Sequence, residues 1–175
     1  MSRKTLLPQL AAYALQHGFS DASLRPMAKA AGTSDRMLLY HFGSKQALMD
    51  ALMEHIADMY SATLDAMFPP GRAATRKECL DAVITMTRRD EIKPFLRLWW
   101  QVVAGAASGE AEWRGSAGRI MGTLLEWLEG HLPEDDPDPP GTAELMLAVI
   151  EGTQMLEAVG RRDIADAAIA SAFAD

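Results

Sequence analysis

A single cysteine, Cys79, in 175 residues rules out a disulfide framework or a cysteine-based zinc site within one chain and fits a reducing compartment. Set at helical spacing among Leu80 and Val83, it reads as a small buried hydrophobe rather than a redox sensor. Histidines are few, and His17, His41, His55 and His131 fall in separate segments without a His-x-x-x-His spacing, so no metal and no cofactor is expected. The chain also lacks a Gly-x-Ser-x-Gly elbow, a phosphate-binding glycine loop and a Gly-x-Gly-x-x-Gly turn, while Glu110/Glu112 and Glu126/Glu129 read as solvated helix faces. An enzyme is therefore not expected. No apolar run approaches the ~18 residues needed to span a bilayer, which argues against a membrane partner. Arg3-Lys4 followed by Ala12-Tyr13-Ala14 superficially copies a secretory signal, but Pro8 and Gln9 interrupt the apolar region between them.

Positive charge is scarce overall, with a net charge of -7, yet its distribution is uneven. Residues 1–45 hold six Lys or Arg against two Asp, a net of +4, and the rest of the chain holds eleven basic against twenty-two acidic residues, a net of -11. A basic head on an acidic body is oriented by its own field towards a polyanion.

That head is built from short helical segments. Thr5 can cap a helix running to about His17, with Leu6, Leu7, Leu10, Tyr13 and Ala14 as a broad apolar face and Gly18-Phe19 closing it. Ser23 can cap a second, from Leu24 to Ala31, with Met27, Ala30 and Ala31 on one side; Pro26 falls in its first turn, where a missing N–H costs little. Gly32 ends it. Thr33 or Ser34 then caps a third helix of about two turns, which Gly43 stops. On that helix Leu38 and Phe42 share one face and can anchor inward, leaving Arg36, Met37 and Tyr40 on or near the opposite face. Helix, tight turn and a short helix presented outward is the pattern of a DNA-reading motif.

Over roughly the first 53 residues the sequence resembles the DNA-binding domain of the tetracycline-repressor (TetR) family of bacterial regulators. The resemblance rests on Gly18-Phe19, on Ser23 with Met27-Ala28-x-x-Ala31-Gly32, and on Ser34, Leu38, Phe42, Ser44-Lys45, Ala47-Leu48 and Ala51. It implies base contacts from Arg25, Asp35, Arg36 and Met37, and phosphate contacts from Ser23, His41 and Lys45, with Ser34 as a further DNA-binding candidate. Asp35 can equally serve its own helix N-terminus. Leu39 departs from the family pattern, which has a tyrosine there, and Tyr40 stands next door as a substitute.

Beyond Ser44 the pattern is helical throughout and nowhere strand-like. Helices are expected from Ser44 to about Met67, Ala74 to Arg89, Glu91 to Ala107, Glu110 to His131, Thr142 to Val159 and Arg162 to Phe173, giving about nine in all. Leu132 to Gly141, rich in proline and acid, is expected to be an exposed loop. Tyr60, Trp99, Trp100 and Trp127 are candidates to line a ligand cavity, though aromatic residues at helical spacing also serve as plain core. Arg88, Arg89 and Arg97 could meet an acidic inducer or pair with Asp90 and Glu91. The last two helices carry wide apolar stripes; the resemblance implies that they form a four-helix dimer interface, with Val149, Gly152, Leu156, Ile169 and Phe173 as its candidates, unless they simply cap the core of one chain.

The expected architecture is all-α, with a helix-turn-helix head over residues 1–45 and a helical ligand-binding and dimerisation bundle over residues 46–175. The expected protein is a bacterial, cytoplasmic, nucleoid-associated homodimer that reads a palindromic double-stranded operator and is released from it by a small-molecule effector. A ligand-binding or scaffold protein of the same fold that does not bind DNA is the alternative.

Overall fold

The computed structural model describes residues 2–19 and 24–173, apart from the Glu112 side chain. Among the described residues there are nine α-helices and no strand: α1 (Arg3–His17), α2 (Leu24–Ala30), α3 (Asp35–Phe42), α4 (Lys45–Met67), α5 (Arg76–Thr87), α6 (Lys93–Ala107), α7 (Ala111–His131), α8 (Pro139–Ala158) and α9 (Arg162–Ser171). They belong to two compact units, Met1–Ala62 with Asp90–Ile120, and Thr63–Arg89 with Met121–Asp175.

In the first unit, Leu6, Leu10 and Ala14 recur every fourth residue along α1 and are wholly buried with Met27, Leu38, Leu48 and Leu52. The start of α1 lies three residues before the expected one, because Ser2 and not Thr5 is the cap and Thr5 acts from the third helical position: its Oγ1 accepts the Ser2 N–H at 2.9 Å. On α2 the inward set is Met27 and Ala28, followed by Ala31, while Ala30 is exposed and not part of the apolar side expected for it. Gly18 is fixed by a close approach. Its φ is +79°, and a Cβ there would stand 2.6 Å from Gln101 Nε2, the side chain whose Oε1 accepts the Phe19 N–H at 2.6 Å. The end of α1 is thereby tied to the middle of α6.

The second unit packs Leu64, Leu80, Ile84, Leu132, Met146 and Ala165 into its interior. Cys79 lies there too, and burial pushes its thiol up to about 11, which keeps it protonated and unreactive. Thr75 caps α5 by accepting the Glu78 N–H, so the helix begins later than the sequence pattern suggests. The end of α5 is pinned by Arg88, whose guanidinium pairs with Glu157 at 2.5 Å and Asp166 at 2.6 Å. Its partners thus come from α8 and α9 and not from the neighbouring Asp90 and Glu91; Asp90 pairs with Lys93.

The segment from Leu132 to Gly141 corrects a second expectation. Leu132 and Pro133 are buried, and α8 begins at Pro139, where two prolines occupy first-turn positions that need no N–H and Asp138 caps the Gly141 amide. Glu134, Asp135, Pro137, Asp138 and Pro140 are exposed as expected, and among the acidic residues of the stretch Asp136 is the one whose side chain is covered. Its carboxylate is fully shielded from solvent and accepts two bonds from the Arg76 guanidinium, at 2.7 and 2.8 Å, along with the Asp138 N–H and the Thr142 hydroxyl. These bonds, the one from Arg76 foremost, hold its carboxyl down at about 2. A depressed carboxyl stabilises the fold at pH values above its unfolded value, near 3.9, and loses that contribution as pH falls towards 2. Asp136→Asn should therefore destabilise the protein at neutral pH and flatten the loss of stability between about pH 4 and 2, as read from urea denaturation at a series of pH values.

Candidate nucleic-acid interface

The third helix owes its position to two anchors. Leu38 and Phe42, four residues apart, are buried against α1 and α2 in the first unit, and everything else on α3 that bears chemistry is left outside. Ser34 starts the helix by accepting the Met37 N–H at 3.3 Å, and Gly43, with φ at +86°, ends it. Arg3 adds a clamp that sequence reasoning missed. Its Nε donates to the His41 carbonyl at 2.6 Å, near the C-terminus of α3, and its guanidinium lies 5.4 Å from the Phe42 ring centroid. Only the separation of 38 residues hid it, since nothing local marks Arg3 as a partner of the third helix.

The outward face carries Arg36, exposed, with Met37 at 40%, Leu39 at 37% and Tyr40 at 78% relative exposure. Exposed methionine and tyrosine side by side on a two-turn helix add nothing to the core of their unit, and this row has the size of a surface that enters a major groove. Asp35 Oδ1 accepts the Arg36 N–H at 3.0 Å, so its carboxylate serves the N-terminus of its own helix. Arg25 is exposed on α2, His41 is partly covered and meets the Tyr40 ring edge-on, and Ser34 is exposed. Lys45 opens α4. Ser44 caps that helix by accepting the Ala47 N–H at 3.0 Å, which sets an exposed ammonium beside a helix N-terminus, a favourable place for an anion. Ser23 lies outside the described residues.

The aromatic residues divide between the units. Tyr60, Trp99 and Trp100 belong to the first, where Tyr60 packs against Phe95 with centroids 5.4 Å apart and Trp99 lies against the core. Trp127 belongs to the second, stacked on His131 at 4.0 Å and edge-on to Phe68, with its indole N–H on Asp65 at 2.5 Å. A cleft of about 300 Å³ in the first unit is lined instead by Phe19, Met49, Met53 and Trp113 with Lys45, Gln46, Asp50, Glu110 and Ser116.

On the last two helices the wide stripe separates into two faces. Met146, Ile150 and Thr153 of α8, with Ala165 and Ile169 of α9, are buried within the second unit. Val149, Gly152, Leu156 and Phe173 are half-buried, and beside them Leu145 at 55%, Met155 at 52% and Val159 at 67% exposure extend an apolar row along α8. Ile169 is thus spent inside its own unit, and Met155 and Val159 are surface members that the sequence pattern did not single out. Thr153 and Gln154, both buried, keep a side-chain oxygen without a hydrogen-bond partner. No helix among the described residues is long and apolar enough to cross a membrane.

Residues 11–52 match the family described as bacterial regulatory proteins, tetR family. No curated protein matches the chain. Among solved structures it is similar to SCO7518, a proposed transcriptional regulator from Streptomyces coelicolor A3(2), at 26% identity and a TM-score of 0.73, over 96% of this chain and 95% of the other. A proposed TetR-family transcriptional regulator from Rhodococcus sp. is similar at 20% identity and a TM-score of 0.73, over 97% and 95%. The multidrug binding protein EbrR, complexed with proflavin, is similar at 18% identity and a TM-score of 0.70, over 95% of each chain. The match to the TetR family is thus confined to the head, and along nearly its whole length the chain shares the fold of these transcription regulators.

Proposed function

We propose that this protein is a homodimeric transcriptional repressor that reads a palindromic operator with α3 and is released from it by a small molecule. The observation that carries this reading is the division of α3 into two buried anchors and an exposed row of Arg36, Met37 and Tyr40. The +4 charge of the first 45 residues supports the same partner. Dimerisation through the apolar row of α8 fits the need of so short a reading helix, which spans too few base pairs to be selective alone. That a chain of the same fold is complexed with proflavin supports a small-molecule effector for the body, with Tyr60, Trp99, Trp100 and Trp127 as candidate contacts. Such an effector shifts the equilibrium only by its differential affinity for the free and DNA-bound forms.

Two substitutions separate reading from attachment. Arg36 has the fork to bond guanine O6 and N7, a contact worth ~1–3 kcal/mol of discrimination, so Arg36→Ala should relax preference at one base pair per half-site. Equal weakening on every operator variant would assign Arg36 to the backbone instead. Lys45→Ala should weaken specific and random DNA alike and reduce the slope of log K against log salt by ~1 per protomer, as read by fluorescence anisotropy at several salt concentrations. An unchanged slope removes Lys45 from the contact set.

A further inference from the structure

The cleft in the first unit contains none of the four aromatic residues assigned above to the effector, and its lining has a chemistry of its own. One wall is Trp113. The indole is held in place from three directions: its N–H donates to Glu110 Oε2 at 2.9 Å, Phe19 meets it with ring centroids 5.4 Å apart, and α6 passes so close that a Cβ on Gly105 would come within 2.5 Å of the ring. A tryptophan fixed at the edge of open space, rather than packed on every side, offers its π surface to an occupant. Facing the same space are two carboxylates. Glu110 accepts the indole N–H, and Asp50 accepts from Gln46 Nε2 at 3.2 Å, from the Ser116 hydroxyl at 3.5 Å and from Arg119 at 3.3 Å. Met49 and Met53 supply soft apolar contact, and Lys45 lies at the cleft as its cation.

An aromatic face, two carboxylates and thioethers within about 300 Å³ are what a small organic cation with an apolar or aromatic body requires. We propose that this cleft is a second ligand site, selective for aromatic ammonium compounds, bounded by Trp113, Glu110 and Asp50. It goes beyond the effector reading given above, and its binding is measured without DNA, so failure of this site and failure of operator recognition are separate results. Lys45, the proposed phosphate contact, borders the same space, so the site reaches the N-terminal end of α4.

The probe is benzyltrimethylammonium, a permanent cation, with benzyl alcohol and benzoate as neutral and anionic controls, titrated into the full-length protein. Binding is read by calorimetry and by the four indole N–H resonances in a nitrogen-15 spectrum, with the Trp113 signal assigned from Trp113→Phe. The cation should shift the Trp113 resonance and leave that of Trp127 in place, and should bind at least about tenfold more tightly than either control. Glu110→Gln should weaken it about tenfold, whereas Lys45→Ala should tighten it about twofold by removing a like charge. Gly105→Ala, which displaces the indole while leaving both carboxylates charged, should also weaken it. Opposite signs for Glu110→Gln and Lys45→Ala distinguish a site from general loss of structure. Equal affinity for benzyl alcohol, movement of Trp127 in place of Trp113, or no binding by 10 mM cation, on the order of 3 kcal/mol of binding free energy, overturns the proposal.

Discussion

Gly152→Arg is expected to turn a dimer into a monomer and to abolish tight operator binding. Gly152 lies on α8 within the row that includes Leu145, Val149, Met155, Leu156 and Val159. A Cβ placed on it meets nothing within 4 Å, so the substitution leaves the interior of its own unit undisturbed and acts on whatever covers that row. In a two-fold interface each guanidinium faces its copy or a near neighbour, so one substitution is felt twice. An unpaired charge in a dry contact costs ~3–5 kcal/mol, or between two and four powers of ten in dimer dissociation. Without the tether the two reading helices are no longer held at the spacing of about 34–36 Å between successive major grooves. Light scattering reports the mass directly: a monomeric wild type contradicts the dimer reading, and a mutant that remains a dimer moves the interface off α8.

Phe42→Ala should cost about 3–5 kcal/mol of stability, a large share of the ~5–15 kcal/mol typical of a folded domain. Phe42 is only 2% exposed and is one of two anchors holding an eight-residue helix to the first unit. Its ring also faces the Arg3 guanidinium, so truncation leaves a cavity and removes half of the clamp across the end of α3. A helix this short is not stable by itself, and its orientation would be lost with the anchor. Leu39→Ala, three residues away on the exposed side, serves as the control and should change stability by no more than about 0.5 kcal/mol. Urea denaturation followed by circular dichroism gives both values. Equal losses from the two variants would mean that α3 is not seated as described.

The local features of the head were legible because they are written locally. Leu38 and Phe42 recur at helical spacing, Ser34 and Gly43 punctuate the helix, and the buried and exposed sides of α3 follow from 3.6-residue geometry alone. What was not legible is contact between residues far apart in sequence. Arg3 reaches His41, Gln101 holds Phe19, and Arg76 reaches Asp136 in a proline-rich acidic segment, sixty residues away. Composition marked that segment as solvent-exposed because acid and proline usually are, which holds for Glu134, Asp135, Pro137, Asp138 and Pro140, but a bidentate ion pair covers the Asp136 carboxylate. Apolar periodicity failed in a similar way on α8 and α9. It shows that a helix has a broad apolar surface but not which part of it the helix's own unit covers, so it marked Ile169, which is buried, and passed over Val159, which is 67% exposed. The cleft beside Trp113 was invisible for the same reason, since its walls come from α4, α7 and the end of α1.

The most direct measurement is selection of bound sequences from a pool of random duplex DNA by the purified wild-type protein at physiological salt, followed by sequencing. The outcome expected is enrichment of an inverted repeat, with one base pair in each half-site losing its preference when the selection is repeated with Arg36→Ala. A pool that emerges without enrichment, from protein shown to be folded and dimeric, would contradict the reading of this chain as an operator-binding regulator.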